Sequence, residues 1–125
     1  MQKMIYIAGP MRGIPKWNYD EFNKYAKAFR DAGWAVVNPV EIGNLFGPPQ
    51  YLENNPQILD LVMNIELTCI TKCDAIFLLD NWETSVGARK EVQKAFRYEL
   101  LVLQKHHIDQ SIPTPDMIQR KDYLK

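Results

Sequence analysis

The sequence predicts a small doubly wound α/β fold built on a parallel sheet, and three observations carry that prediction. Four short apolar runs, Lys3–Ala8, Trp34–Asn38, Ala75–Leu79 and Leu100–Leu103, have the length and composition of buried strands. The stretches between them are too long for hairpins and contain apolar residues at helical spacing, so they read as crossover helices. Glycine or proline ends the first two runs, at Gly9-Pro10 and at Pro39. Four strands alternating with three helices pair in parallel through right-handed crossovers. The predicted order is 2-1-3-4, a flavodoxin-like or Rossmann-like arrangement with helices on both faces.

Each element follows from local chemistry. Lys3–Ala8 is the first, central strand, and Gly9-Pro-Met-Arg-Gly13 is the loop at its carboxyl end. Gly9 and Gly13 allow a ligand close to the backbone, and Arg12 is the loop's one charge, so it reads either as a phosphate ligand or as a solvated loop arginine. The spacing fits neither a Walker loop nor a dinucleotide fingerprint. Tyr6 either directs its hydroxyl toward the same mouth or is a core aromatic.

Asn18–Ala32 is the first helix, with Phe22, Tyr25, Ala26 and Phe29 on one face, Asn18 as N-cap and Gly33 as terminator. Trp34–Asn38 is strand two. Residues 39–57 hold four prolines and two glycines without a period, which predicts a long binding loop anchored by Phe46, Tyr51 and Leu52. Ile58, Leu61, Val62, Ile65 and Cys69 mark the next helix, ending near Lys72, with Glu66 at the border of its buried face. Strand three and a final helix follow, then strand four. The tail, residues 104–125, is polar, and Asp116-Met-Ile is its one hint of a helical turn.

The stretch Asn81–Phe96 organises the rest. From Ala88 the positions Ala88, Val92, Ala95 and Phe96 mark the face turned to the sheet, and Glu91 falls among them. A carboxylate there loses its hydration unless something compensates, so Glu91 is either an ion-pair partner or a chemical group. Thr84 and Ser85 offer N-cap hydroxyls, and Gly87 leaves the first turn bare, so the helix start can seat an anion. Strands one and three flank the point where the strand order reverses. Tyr6, the Gly9–Gly13 loop and Ser85 therefore meet where open α/β sheets bind ligands.

Composition bounds the function. A chain of 125 residues is expected to form one domain, with a core over about residues 3–103. Fifteen basic residues balance fifteen acidic ones, so no net field favours a nucleic acid polymer or a membrane surface. No apolar stretch approaches the roughly 20 residues that span a bilayer, and the expected location is cytoplasmic. Cys69 and Cys73 read as small core residues rather than zinc ligands, and His106 and His107 as surface residues. No metal site is expected.

Ile5-Tyr-Ile-Ala-Gly-Pro-Met-Arg-Gly13, Glu66-Leu before Cys73-Asp-Ala-Ile, and Ser85-Val-Gly-Ala-Arg-Lys-Glu91 resemble the three signature segments of the nucleoside 2-deoxyribosyltransferase-like superfamily. The likeness covers about residues 4–103 and is strongest to short phage and bacterial members. It implies that Glu91 is a nucleophile toward the anomeric carbon of a sugar, that Glu66 helps protonate the departing base, and that Tyr6 orients the nucleophile. Ser85 and Arg12 match the branch that hydrolyses nucleoside 5′-monophosphates, with Gly9, Gly13 and Gly87 completing a phosphate seat. The resemblance further implies a homodimer without cofactor, in which a residue from the neighbouring tail completes the site. In the tail, Ser111 or Asp116 could serve, with no motif to choose between them. Family members usually carry Asp at the position of Glu66, so this chain departs from the pattern there. Base exchange between nucleosides, and a nucleotide-binding module without catalysis, are the competing expectations.

Overall fold

The computed structural model describes residues 2–117. Strands β1 (Met4–Ala8), β2 (Ala35–Val37), β3 (Ala75–Leu78) and β4 (Leu101–Gln104) form one fully parallel sheet in the order β2-β1-β3-β4. This is the predicted doubly wound arrangement. Both central strands are buried on their two faces: Ile5, Ile7, Ala75 and Phe77 point to one side, and Tyr6, Ala8, Ile76 and Leu78 to the other.

Helix α1 (Tyr19–Asp31) covers the first face with Phe22, Ala26 and Phe29. Phe29 meets the Trp34 ring edge-on at a centroid distance of 6.1 Å. The tail closes this layer: Ile108 and Ile112 pack against the cluster, and Trp34 Nε1 donates to the Pro113 carbonyl at 2.9 Å. The other face is covered by α4 (Pro56–Ile70) and α5 (Val86–Arg97), through Ile70, Val92 and Ala95. No helix among the described residues is long and apolar enough to cross a membrane.

The long loop expected over residues 39–57 is instead largely helical, with α2 (Pro39–Asn44) and α3 (Pro49–Glu53). Each has proline in its first turn, where no N–H is needed. Asn38 Oδ1 accepts from Val40 N–H at 3.1 Å and starts α2. Helices of six and five residues are too short to display a period, so their prolines and glycines read as loop. Leu52 is the buried anchor of this region; Phe46 is half-buried, and Tyr51 is exposed, its ring lying against Gly47.

Other local expectations also change. Asn18 precedes α1 but does not cap it, because its side chain donates to the Pro10 carbonyl at 3.0 Å. Phe96 is 62% exposed: it lies about a quarter turn from the centre of the stripe formed by Ala88, Val92 and Ala95. Cys73 is buried while Cys69 is only half-buried. His107 is half-buried rather than on the surface, since its Nδ1 accepts from Gln104 N–H at 2.8 Å. Asp116 lies in a short 3-10 turn, Pro115–Met117, whereas Ile118 is outside the described residues.

Candidate active site

A cavity of about 390 Å³ opens at the carboxyl edge of the sheet, a volume within the range of small-molecule sites. The loop after β1 supplies Gly9, Pro10, Met11 and Arg12. The α4 helix supplies Met63 and Glu66, and the start of α5 supplies Ser85, Gly87 and Glu91. Gly9 is required by packing, since a Cβ there would stand 2.7 Å from Leu79 Cβ. Gly87 approaches the Met63 methyl closely; a Cβ would lie 3.0 Å from Cε. Gly13, expected in the seat, is not in the wall. Its φ of +80° in an open turn explains the glycine without a ligand.

The two glutamates define the chemistry. Glu91 is 4% exposed and Glu66 6%, and α4 packs directly on α5. Neither carboxyl forms an ion pair among the described residues. Of the two readings of Glu91, the ion-pair partner is the one not met among the described residues. Tyr6, fully buried behind the wall, donates its hydroxyl proton to Glu91 Oε2 in a short hydrogen bond. The tyrosine thus acts on the site through Glu91 and does not itself line the cavity.

Burial pushes the Glu66 carboxyl up to about 8. Burial, and then the charge of Glu66, also hold Glu91 well above the ordinary carboxylate range, while the Tyr6 hydrogen bond acts in the opposite sense. Only Glu91 has a donor that favours its charged form. The two carboxyls titrate as one coupled pair, within which the Tyr6 hydrogen bond is the contribution that favours charge on Glu91. The Tyr6 hydroxyl is held well above its usual range, first by burial and then by Glu91. It remains a donor throughout the physiological range.

At the rim, Ser85 caps α5: its Oγ accepts from Ala88 N–H at 3.1 Å. The amides of Val86 and Gly87 are left without intrahelical acceptors, as in any first turn. Thr84 does not cap the helix, since its hydroxyl donates to the Asn81 carbonyl at 2.7 Å. Arg12 is exposed in the wall, and its side chain makes no ion pair or hydrogen bond among the described residues. Lys90 also lines the cavity, a cation that the sequence pattern did not single out, because its helical position points to neither core nor cap. Trp17, Asp60 and Met63 join the wall without a sequence signal. Ser111 and Asp116 are exposed and outside it.

The structure thus brings Glu66, Glu91, Gly9, Arg12, Ser85 and Gly87 to one cavity, with Tyr6 behind Glu91. Among curated proteins none matches the chain. A family model described as "Domain of unknown function (DUF4406)" matches residues 3–104, from the start of the sheet to the last residue of β4. With four fifths of its length covered, the chain belongs to that family of unknown function.

Proposed function

We propose that the protein cleaves the N-glycosidic bond of a nucleoside or deoxynucleoside 5′-monophosphate, with water as acceptor. The observation that carries this reading is the pair of buried glutamates in one cavity wall, without an ion pair among the described residues and differing in hydrogen-bond support. Two carboxyls in unlike environments are suited to unlike roles.

In the first half-reaction the Glu91 carboxylate attacks C1′ of the sugar and forms a glycosyl ester. The C1′–N bond breaks, its electron pair goes to the base, and Glu66 gives the base a proton. In the second half, water attacks C1′, Glu66 takes the water proton, and the ester C–O bond breaks to restore the Glu91 carboxylate. One water is consumed, and base and sugar 5-phosphate are released. Tyr6 holds Glu91 in place and stabilises its charge before attack. Arg12, the Ser85 hydroxyl and the free amides of the α5 start would receive the phosphate. The similarity of three sequence segments to deoxyribosyltransferase-like enzymes supports the same assignment.

The direct test incubates the common 5′-monophosphates, in ribose and deoxyribose forms, with the protein and follows free base by chromatography. Base release that depends on Glu91 and on the phosphate is expected. Equal reaction of nucleosides without phosphate would favour base exchange and remove the roles given to Arg12 and Ser85. Tight nucleotide binding with no base release over many hours would leave a binding module without catalysis.

A further inference from the structure

The nucleotide reading assigns the acid pair to the sugar and the α5 start to the phosphate, and leaves open what receives the base. The wall offers a chemically distinct region for it. Trp17 lines the cavity together with Met11, Ile14, Leu59 and Met63, an apolar group rich in polarizable side chains. The wall contains no Asn, Gln or His among the described residues. Amide side chains are the usual bidentate readers of an adenine edge, so that mode is missing here; of the other polar groups, Asp60 is exposed, and the Thr84 and Ser85 hydroxyls are engaged with backbone.

Trp17 reaches this wall from an unusual turn. Lys16, Trp17 and Asn18 have φ values of 55°, 54° and 62°, three successive left-handed residues without a glycine among them. Such backbone is unfavourable for any residue with a Cβ and persists only where its surroundings hold it. Two hydrogen bonds do so here. Trp17 N–H donates to the Ile14 carbonyl at 2.9 Å, and the Asn18 side chain donates to the Pro10 carbonyl at 3.0 Å. Pro10 itself lines the cavity, so the turn carrying the indole is tied to the loop that forms the site.

We propose that Trp17 is the stacking platform for the base, and that the site sorts bases by ring size rather than by hydrogen-bonding edge. This inference rests on the nucleotide reading above. Purine nucleotides then bind more tightly than pyrimidine nucleotides, and adenine and guanine are barely distinguished.

Calorimetric titration of the full chain tests it, with 5′-monophosphates of adenine, guanine, cytosine and uracil in both sugar forms, and with ribose 5-phosphate and 2-deoxyribose 5-phosphate as base-free probes. Stacking on one aromatic side chain corresponds to roughly 5- to 150-fold in affinity. Trp17→Ala is expected to weaken purine nucleotides by about tenfold or more, Trp17→Phe to recover most of that loss, and neither to change sugar phosphate binding. Unchanged purine affinity in Trp17→Ala would overturn the assignment. Equal loss of the sugar phosphates would do so too, because it would make Trp17 a structural support of the whole cavity. A preference between adenine and guanine of about a hundredfold would mean that an edge is read after all. If the wild-type chain binds neither nucleotides nor sugar phosphates, the nucleotide reading itself falls and takes the Trp17 assignment with it.

Discussion

Ionisable side chains gather at the carboxyl edge of the sheet on both faces, and the two groups are handled in opposite ways. Beside α1, Lys105 Nζ lies 2.8 Å from Asp80 Oδ2 and 3.4 Å from Glu21 Oε2, and 5.5 Å from the centre of the Tyr25 ring. The hydrogen bond to Asp80 holds the ammonium group above its usual range, and these charges remain partly open to water. On the α4–α5 face, Glu66 and Glu91 are buried together with no ion pair among the described residues, and their proton affinities rise. A chain that readily supplies lysines to carboxylates elsewhere leaves these two without one. Stability does not account for the difference, because the Tyr6 hydrogen bond replaces only part of the hydration that the two buried carboxyls lose. The proposed reaction accounts for it, since protonating a leaving base draws on a carboxyl whose proton affinity is raised.

The comparison can be broken at either end, and the largest effect is expected on the buried side. Glu91→Gln removes the proposed nucleophile and keeps the shape. Base release should fall by about a thousandfold or more while the thermal midpoint stays or rises, as chromatography and calorimetry would show. A variant with wild-type turnover would end the assignment.

The next effect is on stability. Glu66 holds its proton more tightly in the folded chain, with its pKa raised from 4.5 to about 8. The folded state then binds more protons than the unfolded one between those values, so stability falls as pH rises from about 4.5 to about 8. The full span is on the order of a few kcal/mol, shared with Glu91 because the pair titrates together. Denaturant unfolding at several pH values should show this slope in the wild type and a flatter one in Glu66→Gln. Base release should likewise decline above about pH 8, as the proton for the leaving base is lost.

Tyr6→Phe deletes the hydroxyl that supports charge on Glu91. A hydrogen bond to a charged group contributes about 1.5–3 kcal/mol, so base release should fall roughly 10- to 150-fold. The acid limb of its pH profile should also move to higher pH, because Glu91 becomes harder to ionise. An unshifted acid limb would indicate that Tyr6 only fills space. The smallest effect belongs to the paired side: Lys105→Ala should lower stability by no more than about 1 kcal/mol in denaturant unfolding and leave base release unchanged. A large loss there would mean that the surface cluster positions the site.

The strands were legible because buried parallel strands are continuous apolar runs, and their order followed from the alternation with helices. The inward position of Glu91 was legible for a similar reason, since its spacing from Ala88 and Ala95 is fixed by the helix. Phe96 shows the limit of that argument, as it shares the pattern but lies beyond the buried stripe. The short helices α2 and α3 were hidden because one turn and a half carries no period, and Pro39, which opens α2, reads equally as the end of a strand. Trp17, Asp60, Met63 and Lys90 were not legible as site residues, because nothing local distinguishes a wall residue from any other loop or helix residue.

Local patterning determined the four strands, the presence of helices on both faces of the sheet, and the acid turned toward the interior at the start of α5. The packing of α4 on α5 decided that Glu66, at the border of its own helix, is buried beside Glu91. Only the assembled sheet could bring Tyr6, 85 residues earlier, into hydrogen-bonding contact with that acid. A side chain's direction is set by its own backbone, whereas its hydration and its partners are set by whatever the rest of the chain places around it.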